Sequence, residues 1–96
     1  MLKINKSLNG RSLRISLEGE IDSVTAPELD REVQDLENFD DVTFDLKDLA
    51  YVSSAGLRVI MMLKRRMAGR PLKFENIGIE VREVLDMTGS SALLGL

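Results

Sequence analysis

One stretch constrains the fold more than any other: Thr43 to Met67, TFDLKDLAYVSSAGLRVIMMLKRRM. Thr43 to Leu46 alternates polar with apolar side chains, the period of a half-buried strand. Lys47 to Val52 follows as a tight acidic turn, and Ser53-Ser54-Ala55-Gly56 opens a helix of about a dozen residues. A hydroxyl residue just ahead of an apolar-periodic run is an N-cap signal, because its oxygen accepts from one of the unpaired N–H groups of the first turn. Ser53 or Ser54 is that cap. The same geometry sets a serine hydroxyl at the positive end of the helix dipole, where an added phosphate is tolerated or favoured.

The rest of the chain supplies partners for this unit. Leu2 to Lys6 alternates, Asn9-Gly10 is a hairpin turn, and Leu13 to Leu17 alternates again, which predicts an antiparallel pair with Leu13, Ile15 and Leu17 facing the core. Gly19 to Asp22 leaves the strand. Thr25 is placed to cap a helix over Ala26 to Leu36, with Pro27 in the first turn and Glu28 completing a capping box. A short central strand from about Val42 to Leu46 then implies a parallel, right-handed crossover. The central helix runs to about Ala68 and stops at Gly69-Arg70-Pro71. Leu72 to Glu75 is a further strand, and Ile79 to Met87 a last amphipathic helix closed by Gly89. Ser90 to Leu96 is a further strand or a frayed tail. The order ββαβαβα describes an α/β sandwich in which about three helices pack on a mixed sheet, and the expected domain covers residues 1–96.

Composition removes several classes of function. A chain of 96 residues has room for one modest core, and 44% hydrophobic with 30% charged residues is that of a globular protein. The net charge of −3 gives no basic excess for nucleic acid. Cysteine and histidine are both absent, which leaves no thiol nucleophile, no triad base and little basis for zinc. There is no phosphate-binding glycine loop and no metal-spaced cluster, so a binding module without cofactor, rather than an enzyme, is expected. No apolar run reaches the length of a membrane span and the N-terminus lacks a signal-peptide core; the expected location is the cytoplasm, without membrane insertion.

DLKDLAYVSSAGLRVIMML resembles the signature of the STAS domain of bacterial anti-sigma factor antagonists, D-L-x-x-L-x-x-[ILMV]-D-S-[AST]-G-L-x-x-[IL]. Asp45, Leu46, Leu49, Val52, Ser54, Ala55, Gly56, Leu57 and Ile60 match it. GEIDSVTAPEL, Gly19 to Leu29, is similar to the G-E-[IL]-D-x-x-[ST] stretch of that family, and VREVLDMTG, Val81 to Gly89, to the end of its last helix. The three matches stand in the family's order over nearly the whole chain. The resemblance implies a protein that binds an anti-sigma factor of the serine-kinase type, releases a sigma factor for transcription, and is switched off when a serine at the start of the central helix is phosphorylated. Ser54 holds the position of that serine. The signature's Asp is replaced here by Ser53, which removes a charge beside the phosphosite and offers a second hydroxyl, so Ser53 is the alternative phosphorylation site.

The implied partner surface comprises Asp22, Ser53, Ser54, Ala55, Gly56, Arg58, Val59 and Met62. Each has a plainer role available. The serines are ordinary caps, and Asp22 is a turn carboxylate that satisfies local N–H groups. Asp45 is a structural residue at a strand end. On the central helix Leu57, Ile60 and Met61 make one stripe, with Val59, Met62, Leu63 and Met67 spread beyond it. Arg58, Lys64, Arg65 and Arg66 form a basic run, either a solvated face or a contact for an acidic partner. The chain is expected as a monomer or weak dimer. Two other readings keep the fold: a non-switching STAS subunit of a lipid-transport or stress-signalling complex, and a nucleotide-binding STAS domain.

Overall fold

A computed structural model describes residues 1–96. Strands β1 (Leu2–Asn9) and β2 (Ser12–Ile21) form the expected hairpin, paired antiparallel from Leu2↔Gly19 to Asn9↔Ser12. Helix α1 (Ala26–Glu32) leads through a 3-10 turn at Leu36–Asn38 into β3 (Asp41–Val52), which lies parallel to β2. Helix α2 (Ser54–Met67) then connects to β4 (Leu72–Glu75), parallel to β3. Helices α3 (Ile79–Met87) and α4 (Ser90–Leu93) close the chain. The sheet order is β1-β2-β3-β4, so the architecture is a mixed sheet packed by helices, as expected.

The alternation that marked the strands sorts their side chains. Leu13, Ile15 and Leu17 of β2 and Val42, Phe44 and Leu46 of β3 are buried in one core with Leu29, Leu63, Val81 and Leu85 from the helices. Phe44 stacks on Phe74 across the β3–β4 pair, with ring centroids 5.5 Å apart. On the opposite face the Arg14 guanidinium donates to Glu75 at 2.8 Å and to Asp45 at 3.1 Å, tying β2, β3 and β4 together. Asp45 also accepts from the Asn76 amide and the Lys47 N–H, so its role is structural, though it sits inside β3 rather than at its end.

Several expectations need correction. The acidic turn at Lys47–Val52 is strand: β3 runs twelve residues. Its pairing with β2 slips twice, between Ser16 and Glu18 and between Gly19 and Glu20, each time with an extra residue on β3. Leu46, Leu49 and Val52, three apart, therefore all reach the core. For the same reason β2 continues through Gly19 to Ile21 instead of ending there; Gly19 takes a φ of 106° at the slip. Helix α1 stops at Glu32, four residues early, and Leu36 reaches the core from the 3-10 turn. The buried stripe of α2 is Val59, Ile60, Leu63 and Met67, while Leu57, Met61 and Met62 are only half-buried. The C-terminal segment is neither strand nor frayed: α4 buries Ser90 and Ser91, and Leu94 packs behind it. No helix is long and apolar enough to cross a membrane.

Candidate functional site

The C-terminal ends of β2 and β3 finish side by side, with Ile21 opposite Val52. The next residue of each chain segment carries the candidate chemistry. The Ser53 N–H donates to the Ile21 carbonyl at 2.8 Å, which fixes the start of α2 against the turn that begins at Asp22.

That turn is held by its own side chains. The Asp22 carboxylate accepts from the N–H groups of Val24 and Thr25, both at 2.9 Å. The buried Thr25 hydroxyl accepts from the Asp22 N–H at 2.9 Å and donates to the Glu20 carbonyl at 2.8 Å. The N–H bonds from Thr25 and then Val24 hold the Asp22 carboxyl below the usual carboxylate range, so it stays ionised at neutral pH. The capping box expected from Thr25 and Glu28 does not form: Thr25 makes no side-chain cap. Its hydroxyl faces back to the end of β2, and the Asp22 carbonyl receives the Ala26 N–H at 2.8 Å instead.

At the head of α2 the two serines divide their roles. Ser53 is the N-cap, with φ −84° and ψ 175°, and its half-buried hydroxyl accepts from the Gly56 N–H at 3.3 Å. Ser54 is the first helical residue, is exposed, and does not serve as the cap. Gly56 is buried, and a Cβ there would lie 2.7 Å from Cγ2 of Ile21 and 3.0 Å from Cγ1 of Val52. The glycine lets the helix start press directly onto the strand ends.

From there a groove of about 280 Å³ runs between α1 and α2, lined by Ser23, Ala26, Pro27 and Asp30 on one side and by Ala55, Arg58, Val59 and Met62 on the other. It is mainly apolar with Arg58 at its edge. The Arg66–Asp30 ion pair, at 2.5 Å, and an Arg66 bond to the Val33 carbonyl clamp the two helices together. Ala55, Arg58, Val59 and Met62 thus share one wall of the groove. Gly56 does not reach the surface and Val59 is 8% exposed, so neither offers much to a partner; Gly56 acts through packing. The α1 wall was not legible in the sequence. Its one signal is the small Ala26 beside Pro27, which leaves room where α1 faces α2. No group of three or more acidic residues is placed to hold a metal ion.

A family model described as the Mlab, STAS domain matches residues 4–95. Among solved structures, an anti-sigma factor antagonist from Mycobacterium paratuberculosis is similar with a TM-score of 0.87 at 20% identity, over 97% of this chain and 82% of that one. The unphosphorylated form of the anti-sigma factor antagonist SpoIIAA gives 0.82 at 16% identity, over 94% of this chain and 84% of that one. The phosphorylated form of SpoIIAA, from Bacillus, gives 0.74 at 14% identity, over 94% and 86%. At these identities the likeness is one of fold. No curated protein sequence matches.

Proposed function

The chain belongs to the STAS-domain family, and we propose that it acts as an anti-sigma factor antagonist switched at Ser54. In the unmodified form the head of α2 and the α1–α2 groove bind an anti-sigma factor of the serine-kinase type, which releases a sigma factor. Phosphorylation of Ser54 by that partner ends the contact. The observation that carries this reading is the division between the serines: Ser53 is spent on the cap, while Ser54 stands exposed on the first turn, next in sequence to the Ala55 that lines the groove. Ser54 can change charge without costing the helix its cap.

The chemistry is electrostatic. A phosphoserine adds roughly −1.5 to −2 charges, and the unpaired N–H groups and dipole of α2 accommodate it, so the fold holds. Inside a desolvated interface the same group without a partner costs several kcal/mol, and each ~1.4 kcal/mol is tenfold in affinity. That the neighbour SpoIIAA is known in both unphosphorylated and phosphorylated forms of this fold supports a switch that leaves the architecture in place.

A second reading, a non-switching STAS subunit of a lipid-transport or stress-signalling complex, is favoured by Ser53 standing where the signature has Asp, and by a matching family model named for Mlab rather than for an antagonist. Incubation with ATP, magnesium and a cognate anti-sigma kinase, followed by intact mass measurement, separates the two. The proposal expects one added phosphate, lost in Ser54→Ala and kept in Ser53→Ala, and a complex that dissociates as the phosphate goes on. A stable complex with no mass change means a constitutive binder. Neither phosphate nor complex favours the subunit reading.

A further inference from the structure

A second surface lies away from the head of α2, and it has two halves. The first is the outer side of α2 near its C-terminus. There a concavity of about 470 Å³ is lined by Met61, Ala68 and Leu93, with Lys64 and Arg65 on its wall. Leu93 is 59% exposed, and the Lys64 ammonium donates to its carbonyl oxygen, holding the cation over the cavity. The second half is the outer side of α3. Ile79, Glu83 and Met87 follow one another at spacing four and so share a face, with Glu80 beside them and the buried Val81 and Leu85 opposite. Ile79 is 76% and Met87 85% exposed, unusual for two large apolar side chains on one short helix. None of the chain's ion pairs uses Lys64, Arg65, Glu80 or Glu83.

One half is therefore an apolar hollow with a cationic wall, and the other an apolar ridge with an anionic edge. We infer that these are the two sides of one contact between copies of this chain, α3 of one copy seated in the α2–α4 hollow of the next. Met87 or Ile79 fills the hollow while Glu80 and Glu83 meet Lys64 and Arg65. A second copy is the occupant because this chain itself carries the complement in both shape and charge. Every copy has both halves, so the contact closes into a pair or continues along a row. Four exposed charges outside any internal ion pair make it sensitive to salt, since a Debye length of about 3 Å at 1 M screens what about 10 Å at 0.1 M does not. This inference does not depend on the proposed switch.

Sedimentation velocity of the full chain tests it. In about 0.05 M salt the mean mass should rise with concentration above the 10.7 kDa of one chain, and fall back in about 0.5 M salt. Lys64→Glu with Arg65→Glu should weaken self-association at least tenfold, as should Glu80→Lys with Glu83→Lys. An equimolar mixture of the two variants should associate again, because one reversed face now matches the other. Met87→Gln, which leaves every charge in place, should weaken association too. A chain that stays monomeric at low salt overturns the inference. So does an oligomer indifferent to both reversals, or a mixture of well-folded variants that remains monomeric.

Discussion

Replacing Gly56 with alanine tests how the head of α2 is positioned. A Cβ at this site would meet Ile21 at 2.7 and 3.1 Å and Val52 at 3.0 Å, closer than relaxed carbon contacts allow. Both neighbours are β-branched and buried, so neither can rotate away cheaply. The strain must move the start of α2, where the Ser53–Ile21 bond of 2.8 Å and the Ser53–Gly56 cap of 3.3 Å are its attachments. Overpacking costs about 1–3 kcal/mol, against which alanine recovers up to ~1 kcal/mol as a better helix former. With both contacts rigid, a net loss of about 1–2 kcal/mol follows, or roughly 4–16 °C in the melting temperature of a chain this size. Thermal and urea unfolding followed by far-ultraviolet circular dichroism would read it. Leucine at position 21 lacks the offending Cγ2, and Ile21→Leu alone should cost less than ~1.5 kcal/mol. Combined with Gly56→Ala, it should lose at least ~0.5 kcal/mol less than the sum of the two singles. A Gly56→Ala protein as stable as the parent, or strict additivity with Ile21→Leu, would refute the close-packing account.

The two serines should separate in a stability measurement as well as in a kinase assay. Ser53→Ala removes the cap acceptor and should cost about 0.5–2 kcal/mol, whereas Ser54→Ala should fall within about 0.5 kcal/mol of the parent; the reverse ranking in urea titrations would assign the cap wrongly. Asp45 is held below the usual carboxylate range by the Asn76 amide first, then by the Lys47 N–H and Arg14. A lowered folded-state pKa gives stability that is complete above the unfolded value and is lost as pH falls through the folded one. Asp45→Asn should therefore flatten the stability profile below about pH 4 while leaving its neutral slope alone, and an unchanged acid limb would count against that role.

The legibility of this chain varies with how local the determining physics is. Asn9-Gly10 and the alternation on either side specify a hairpin by themselves, and the hairpin is there. The length of β3 was hidden because the two slips in its pairing belong to β2 as much as to β3. They turn a period of two into a spacing of three, and Leu46, Leu49 and Val52 then look like the end of a strand followed by a turn. Of the stripe expected on α2 only Ile60 is fully buried, for a related reason. Leu57, Met61 and Met62 are as apolar as Val59, Ile60 and Leu63, so only the position of the sheet decides which set is covered. At the site, Ser54 and the edge of α2 were visible, but the opposing wall was not. Ala26, Pro27 and Asp30 become a surface only when α1 is clamped to α2 through Asp30 and Arg66, a contact spanning thirty-six residues.

The two ends of α2 carry different chemistry for one reason. Its N-terminus presents unpaired N–H groups, so hydroxyls and an added phosphate suit it. Its C-terminus is the negative end of the helix dipole, and the basic last turn of Lys64, Arg65 and Arg66 complements it. Of these three, Arg66 is consumed in the clamp on α1, which leaves Lys64 and Arg65 outward. Ser54 and Lys64 are ten residues apart, about 15 Å along a helix rising 1.5 Å per residue, beyond a Debye length of about 8 Å at physiological salt. A phosphate on Ser54 therefore barely alters the field at Lys64. Met62 belongs to the groove with α1 and Met61 to the hollow with α4, neighbours in sequence turned about 100° apart. The proposed switch at one end and the proposed self-contact at the other can thus fail separately: Ser54→Ala should leave the sedimentation profile untouched, and the Lys64 and Arg65 reversals should leave phosphate incorporation unchanged.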